Sequence, residues 1–234
     1  MAEADPRWVD NARIVDGIDS LAWAARAART TPDGALVLMH GRGTSEHDLA
    51  GLFDLLDPEG RLHCAAPRGP LQIPGQPGNH WYVVERVGYP DQPTFERSER
   101  LLSDWLAAFL ESVDVPAERA ALGGFSQGTV MAYTLGLGKG SPIPAGILAL
   151  SGFIPTVEGW EPDLEPRRGL PVLISHGVRD PVIGVDFART ARDRLEAGGL
   201  EVSYRESPGG HQIDGPTIDA AREWLERAVP RQPL

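Results

Sequence analysis

Gly124-Phe125-Ser126-Gln127-Gly128 decides how the rest of the chain is read. It fits G-x-S-x-G, a pattern in which a serine stands on a tight turn between a strand and a helix. The flanks supply that context: Arg119-Ala-Ala-Leu-Gly-Gly reads as a short buried strand, and Thr129-Val-Met-Ala-Tyr-Thr-Leu reads as a helix. A turn this sharp crowds any Cβ on either side of the serine, and glycine removes the clash. Five residues of this kind also arise by chance, and Gly-rich strand-to-helix turns are common. The weight therefore rests on the flanks.

A serine hydroxyl is a weak nucleophile until a base takes its proton and a third group orients the base. Both partners follow downstream. Leu170-Pro-Val-Leu-Ile-Ser-His176-Gly177-Val178-Arg179-Asp180-Pro181 is a buried-strand pattern ending in a turn that presents Asp180. Gly209-Gly210-His211-Gln212-Ile213 sets His211 in a glycine-rich loop before the last helix. Taken singly, an Asp after a strand is a turn or cap residue, and a lone His is structural. Taken together, three such residues after strand patterns in the order Ser…Asp…His read as nucleophile, acid and base. That order differs from the chymotrypsin and subtilisin types.

An early segment completes the chemistry. Ala35-Leu-Val-Leu-Met-His40-Gly41-Arg42-Gly43-Thr44 is an apolar strand running into a glycine turn. A tetrahedral oxyanion needs two backbone N–H donors: one from the residue after the nucleophile, Gln127, and one from this early loop. Arg42 is favoured as the second donor, with Gly41 next. The plainer alternative is that His40-Gly41 only turns the chain.

The chain resembles the phospholipase/carboxylesterase family of α/β-hydrolases, which includes acyl-protein thioesterases and small bacterial carboxylesterases. The resemblance rests on Leu38-Met-His-Gly-Arg-Gly, Ala66-Pro67, Gly123-Gly-Phe-Ser-Gln-Gly, Leu150-Ser-Gly-Phe, His176-Gly-Val-Arg-Asp and Gly210-His211, and spans roughly residues 35 to 228. It implies an α/β-hydrolase fold and a triad of Ser126, Asp180 and His211. The sequence departs from the family pattern at Arg42, where eukaryotic thioesterases of this kind usually carry an apolar residue. A second departure is Ile183-Gly184, where the pattern often has Val-Pro.

At 234 residues one α/β domain over 1–234 is comfortable, and two domains would each be small. The 41% apolar and 24% charged content is that of an ordinary globular chain. A net charge of -11 argues against nucleic acid or an anionic membrane as partner. A single cysteine, Cys64, forms no internal disulfide, and its surroundings suggest a buried strand. No segment approaches the ~18 consecutive apolar residues of a membrane span. The first residues, Met-Ala-Glu-Ala-Asp-Pro, are acidic where a signal peptide is basic, so a cytoplasmic location without integral membrane association is expected. With no H-E-x-x-H, no Cys/His cluster and no phosphate-binding glycine loop, neither metal nor cofactor is implied.

Strand and helix patterns alternate, predicting a mostly parallel central sheet with helices on both faces. Strands are expected near 35–40, 62–66, 119–124, 145–150, 171–176 and 201–205. Helices are expected near 46–56, 95–112, 127–137, 185–197 and 215–228. Residues 13–29 mix helix propensity with an alternation at Leu21, Trp23 and Ala25, and an antiparallel edge strand is favoured there. Two long connections, Pro67 to Pro93 and Gly152 to Gly169, follow strands at the carboxyl end of the sheet, where α/β folds build their sites. Trp81 and Trp160 in these loops are candidates for the wall of an acyl pocket. Equally, each could pin its own loop to the body.

These features describe a cofactor-free serine hydrolase that cleaves small-molecule carboxylic esters through an acyl-enzyme. A thioesterase or lysophospholipase is the alternative using the same machinery. A non-catalytic ligand-binding protein on a hydrolase scaffold is the alternative of another class, and the intact triad argues against it. Monomer and homodimer both stay open.

Overall fold

The computed structural model describes residues 9–10 and 21–232. In chain order the strands are β1 (Val9–Asp10), β2 (Trp23–Arg26), β3 (Gly34–Met39), β4 (Leu62–Pro67), β5 (Val84–Arg86), β6 (Tyr89–Pro90), β7 (Ala120–Phe125), β8 (Gly146–Leu150), β9 (Pro171–Gly177) and β10 (Glu201–Ser207). The α-helices are α1 (Phe53–Leu56), α2 (Gln92–Ser112), α3 (Gln127–Leu137), α4 (Asp186–Ala197) and α5 (Gly215–Ala228). Eight strands join one sheet in the order β1-β2-β4-β3-β7-β8-β9-β10, while β5 and β6 pair separately as a hairpin. Within the sheet β2 is antiparallel to both β1 and β4, and the remaining pairings, along β4-β3-β7-β8-β9-β10, are all parallel.

The strands read as continuous apolar runs because both faces of the sheet are covered. Along β3, Ala35, Val37 and Met39 enter one core, while Leu36 and Leu38 enter the other. The first core is closed by α2, α3 and α4, through residues such as Trp105, Val130 and Leu195. Phe53 and Leu56 of α1 and Trp224 and Leu225 of α5 close the second. The apolar face of α2 repeats at helical spacing, with Phe95, Ser98, Leu102, Trp105 and Phe109 all buried. Asp91 starts that helix, its side chain accepting the Thr94 N–H at 3.1 Å. By contrast α3 is buried on all sides, so it shows no polar face.

Register fixes where the site forms. Met39 lies opposite Gly124, Phe125 opposite Leu150, and Leu150 opposite Ser175. The carboxyl ends of β3, β7, β8 and β9 are therefore nearly level, and the chain leaves each of them into a loop at one edge.

Two expectations need correction. The helix predicted over 46–56 is helical only from residue 50, as a 3-10 turn (Ala50–Leu52) running into α1. Glu46 lies in the turn before it, and its buried carboxylate accepts from the guanidinium of Arg68. The antiparallel strand expected within 13–29 is β2, but it is not the edge, because β1 pairs outside it. Residues 11–20 lie outside the described residues. No helix among the described residues is long and apolar enough to cross a membrane.

Candidate active site

Ser126 is the residue at which β7 becomes α3, and its backbone is left-handed (φ 58°, ψ −118°). A non-glycine residue there is strained by on the order of 1–3 kcal/mol and persists only where its surroundings hold it. They do so in three ways. The Ser126 N–H donates to the Leu150 carbonyl at 2.9 Å. Thr129 Oγ1 lies 2.7 Å from the carbonyl oxygens of both Gly124 and Leu150. The two glycines of the pattern are sterically required: a Cβ on Gly124 would fall 2.6 Å from the Thr129 nitrogen, and one on Gly128 would meet the Met39 carbonyl.

The loops after β9 and β10 bring Asp180 and His211 to the serine. His211 Nε2 lies 2.9 Å from Ser126 Oγ, and its Nδ1 lies 2.6 Å from Asp180 Oδ2. An ionised carboxylate only accepts, so Nδ1 carries the proton and Nε2 is free to accept the serine hydroxyl. Phe125 packs against the imidazole at 4.7 Å between ring centroids. The Asp180 side chain is fully enclosed. Its Oδ1 accepts the N–H groups of Val182 and Ile183, both at 2.8 Å. Burial alone would raise this carboxyl; the bonds from His211, Ile183 and Val182 outweigh it and hold Asp180 below the ordinary carboxylate range.

His176 stands behind the acid. Its buried Nε2 donates to the Ile183 carbonyl at 2.8 Å and lies 3.4 Å from Asp180 Oδ2. It thus closes the 177–183 turn from inside. The other acids near these loops are occupied elsewhere. Asp186, 88% exposed, pairs with Arg189 at 3.0 Å. Asp214 caps α5 by accepting the Thr217 N–H at 2.8 Å.

Arg42 and Gln127, the two residues expected to supply N–H donors, line the same cavity as Ser126. Gln127 is the first residue of α3, so its N–H has no intrahelical carbonyl to bond. In the 40–44 turn the Gly43 N–H is taken by the Asn79 carbonyl at 2.9 Å, whereas the Arg42 N–H takes no backbone carbonyl among the described residues. His40 sets that turn. Its Nε2 accepts the Gly69 N–H at 2.9 Å, so Nδ1 carries the proton and donates to the Gly41 carbonyl at 2.7 Å. Burial holds the His40 imidazole below its usual range and keeps it neutral. The Gln127 side chain joins the two donors. Its Oε1 accepts the Trp81 N–H at 3.1 Å and its Nε2 donates to the Tyr82 carbonyl at 2.9 Å, while the Trp81 indole N–H donates to the His40 carbonyl at 2.9 Å.

Ser126, Gln127, His211, Gly41 and Arg42 line one cavity of about 270 Å³. Its wall is mostly apolar, built from Tyr82, the β5–β6 hairpin (Val84, Val87, Tyr89), Phe153, Val182 and Ile183. Neither tryptophan expected in this wall is there. Trp81 is wholly buried under the 40–44 turn, tied to the His40 carbonyl. Trp160 packs beside Val157 over the first turns of α2, because its loop leaves β8 toward that helix. The hairpin was missed, although Val83-Val84-Glu85-Arg86-Val87-Gly88-Tyr89 carries β-branched residues ahead of a glycine, a hairpin signal. Cys64 lies buried in β4, its thiol pushed up to about 12 by burial, and is no nucleophile.

Comparison with known proteins agrees with this architecture. The sequence profile described as Phospholipase/Carboxylesterase matches residues 24–229. Acyl-protein thioesterase 1 of Neurospora crassa is 32% identical over 220 residues, 84% of this chain and 87% of that protein. The solved structure of esterase PE8 superposes with a TM-score of 0.76 at 29% identity, covering 86% of this chain and 95% of that one. A carboxylesterase from Mesorhizobium loti shares the fold with a TM-score of 0.79 at 20% identity, over 94% and 98% of the two chains. The chain belongs to the phospholipase/carboxylesterase family of hydrolases and has the α/β-hydrolase fold.

Proposed function

We propose that this hydrolase cleaves carboxylic esters through an acyl-enzyme formed on Ser126, without a cofactor. The observation that supports this most is the continuous hydrogen-bonded line from Ser126 Oγ through His211 to Asp180, at 2.9 and 2.6 Å, opening into an apolar cavity. His211 Nε2 takes the serine proton as Oγ attacks the ester carbonyl. Asp180 keeps the proton on Nδ1 and stabilises the imidazolium. The N–H groups of Gln127 and Arg42 hold the oxyanion. His211 then passes its proton to the leaving alcohol, the alcohol departs, and water repeats the sequence on the acyl-serine.

A cavity of about 270 Å³ lies just below the usual span of ligand sites, roughly 300–1,000 Å³. Short acyl groups fit it, so small soluble esters are the proposed substrates. A cytoplasmic setting is part of this reading. The thioesterase alternative is favoured by one observation, the likeness to acyl-protein thioesterases, since the same residues would cleave an S-acyl bond.

Ser126→Ala tests the proposal. It should fold normally, lose fluorophosphonate labelling, and lose kcat on short esters by on the order of 10⁶. Retention of more than a few per cent of activity in a clean preparation would remove Ser126 from the mechanism.

A further inference from the structure

Arg42 contributes more to the cavity than its backbone. Its side chain is exposed at the cavity mouth, and its one hydrogen bond among the described residues goes to the neutral amide oxygen of Gln76. A guanidinium has five N–H donors. No carboxylate among the described residues lies within ion-pair distance of this one. Glu46, four residues on, is held by Arg68, and Asp48, which also lines the mouth, makes no ion pair with Arg42. His80, buried nearby, adds no charge: burial and the Arg42 cation both push its imidazole below the usual range. The rim therefore carries a cation that the protein does not neutralise by contact, beside an interior made of Tyr82, Val84, Phe153 and Ile183.

The chain as a whole carries a net charge of -11, so its overall field repels anions. A local arginine fork at the mouth is what would admit one, because its geometry matches a carboxylate in two parallel bonds. We propose that Arg42 makes this site selective for esters that carry a carboxylate, the guanidinium receiving the anion at the rim while the apolar wall receives the hydrocarbon. This rests on the ester-hydrolase reading above.

Two matched pairs of esters test it. 4-Nitrophenyl hemiglutarate against 4-nitrophenyl valerate puts the charge on the acyl side; the butyrate esters of 4-hydroxybenzoate and 4-hydroxybenzamide put it on the alcohol side. The quantity read is the ratio of kcat/KM for charged over neutral ester, which cancels any general damage to the oxyanion turn. On at least one pair the ratio should fall roughly three- to five-fold in Arg42→Met, the size expected of an exposed ion pair, and Arg42→Lys should keep part of it. Gln76→Glu, on an exposed loop, should lower the same ratio by pairing the guanidinium without touching the turn. Asp48→Asn should raise it, and added salt should shrink it in the wild type. A ratio unchanged by both Arg42→Met and Gln76→Glu on both pairs overturns the proposal while leaving the hydrolase reading intact. Absence of turnover on all four esters would instead sink the hydrolase reading and this proposal with it.

Discussion

Gly128→Ala is a one-methyl change with a calculable consequence. Gly128 is the second residue of α3, and a Cβ there would fall inside the carbonyl group of Met39, the last residue of β3, and 2.7 Å from the His40 oxygen. Real Cβ atoms essentially never approach closer than 3.0 Å, and both obstacles are backbone, so no side chain can rotate away. Helix and strand end must part by about 1 Å. Overpacking of this kind destabilises by roughly 1–3 kcal/mol. The catalytic effect should exceed the stability effect, because the seam that opens runs between the Gln127 N–H on one side and the 40–44 turn on the other. A donor misplaced by about 1 Å costs on the order of 10²-fold in rate. Urea midpoints and kcat on a short ester measure the two effects. Gly51→Ala is the control: a Cβ there meets nothing within 4 Å, so stability should hold or rise slightly. If Gly128→Ala keeps both wild-type stability and wild-type kcat, the steric account of the elbow is wrong.

The acid assignment is tested by Asp180→Asn, Asp186→Asn and Asp214→Asn assayed side by side. Only the first should lower kcat, by up to ~10⁴, since an amide can favour the wrong imidazole tautomer; Asp214→Asn should be nearly silent because Asn caps a helix as well as Asp. Stability should also depend on pH through Asp180, whose carboxyl is depressed in the folded protein. Its contribution is whole above the unfolded value of about 3.9 and is lost as pH falls from there through the folded value. Urea midpoints between pH 6 and 3 should therefore fall less steeply for Asp180→Asn than for wild type, and equal slopes would remove Asp180 as a source of acid sensitivity.

What was legible in the sequence is what local rules dictate. Apolar runs such as Ala35–Met39 and Leu170–Ile174 read as buried strands because they are covered on both sides. The 124–128 pattern reads as a turn because its glycines are a steric necessity. Ser126, Asp180 and His211 lie together because each follows a strand whose carboxyl end meets the same edge of the sheet. Other features depend on partners far away in sequence. A large aromatic in a long loop gives no sign of whether it faces a cavity or lies beneath a turn; for Trp81 that is settled by bonds to His40 and Gln127, some 40 residues away on either side. Glu46 falls where a helix start is expected, but it lies in a turn, and its carboxylate is bonded to Arg68, 22 residues on. Val9–Asp10 is too short to register as a strand at all.

The side chain of Gln127 ties these threads together. The residue lines the cavity, while its amide grips the backbone of Trp81 and Tyr82. Trp81 in turn holds the His40 carbonyl, and His40 holds both Gly41 and Gly69. The two proposed oxyanion donors are thus linked by an unbroken chain of buried hydrogen bonds, although 85 residues separate Arg42 from Gln127. Each link is satisfied away from water, where an unmade bond is expensive. On the proposed assignment the donors are held in place without substrate, the arrangement that electrostatic stabilisation of a developing oxyanion calls for. The acid side is built alike: the turn carrying Asp180 is closed from within by His176, and the same Ile183 that bonds both of them also lines the cavity. The residue that helps form the cavity wall is thus the one whose backbone fixes both the acid and the histidine behind it.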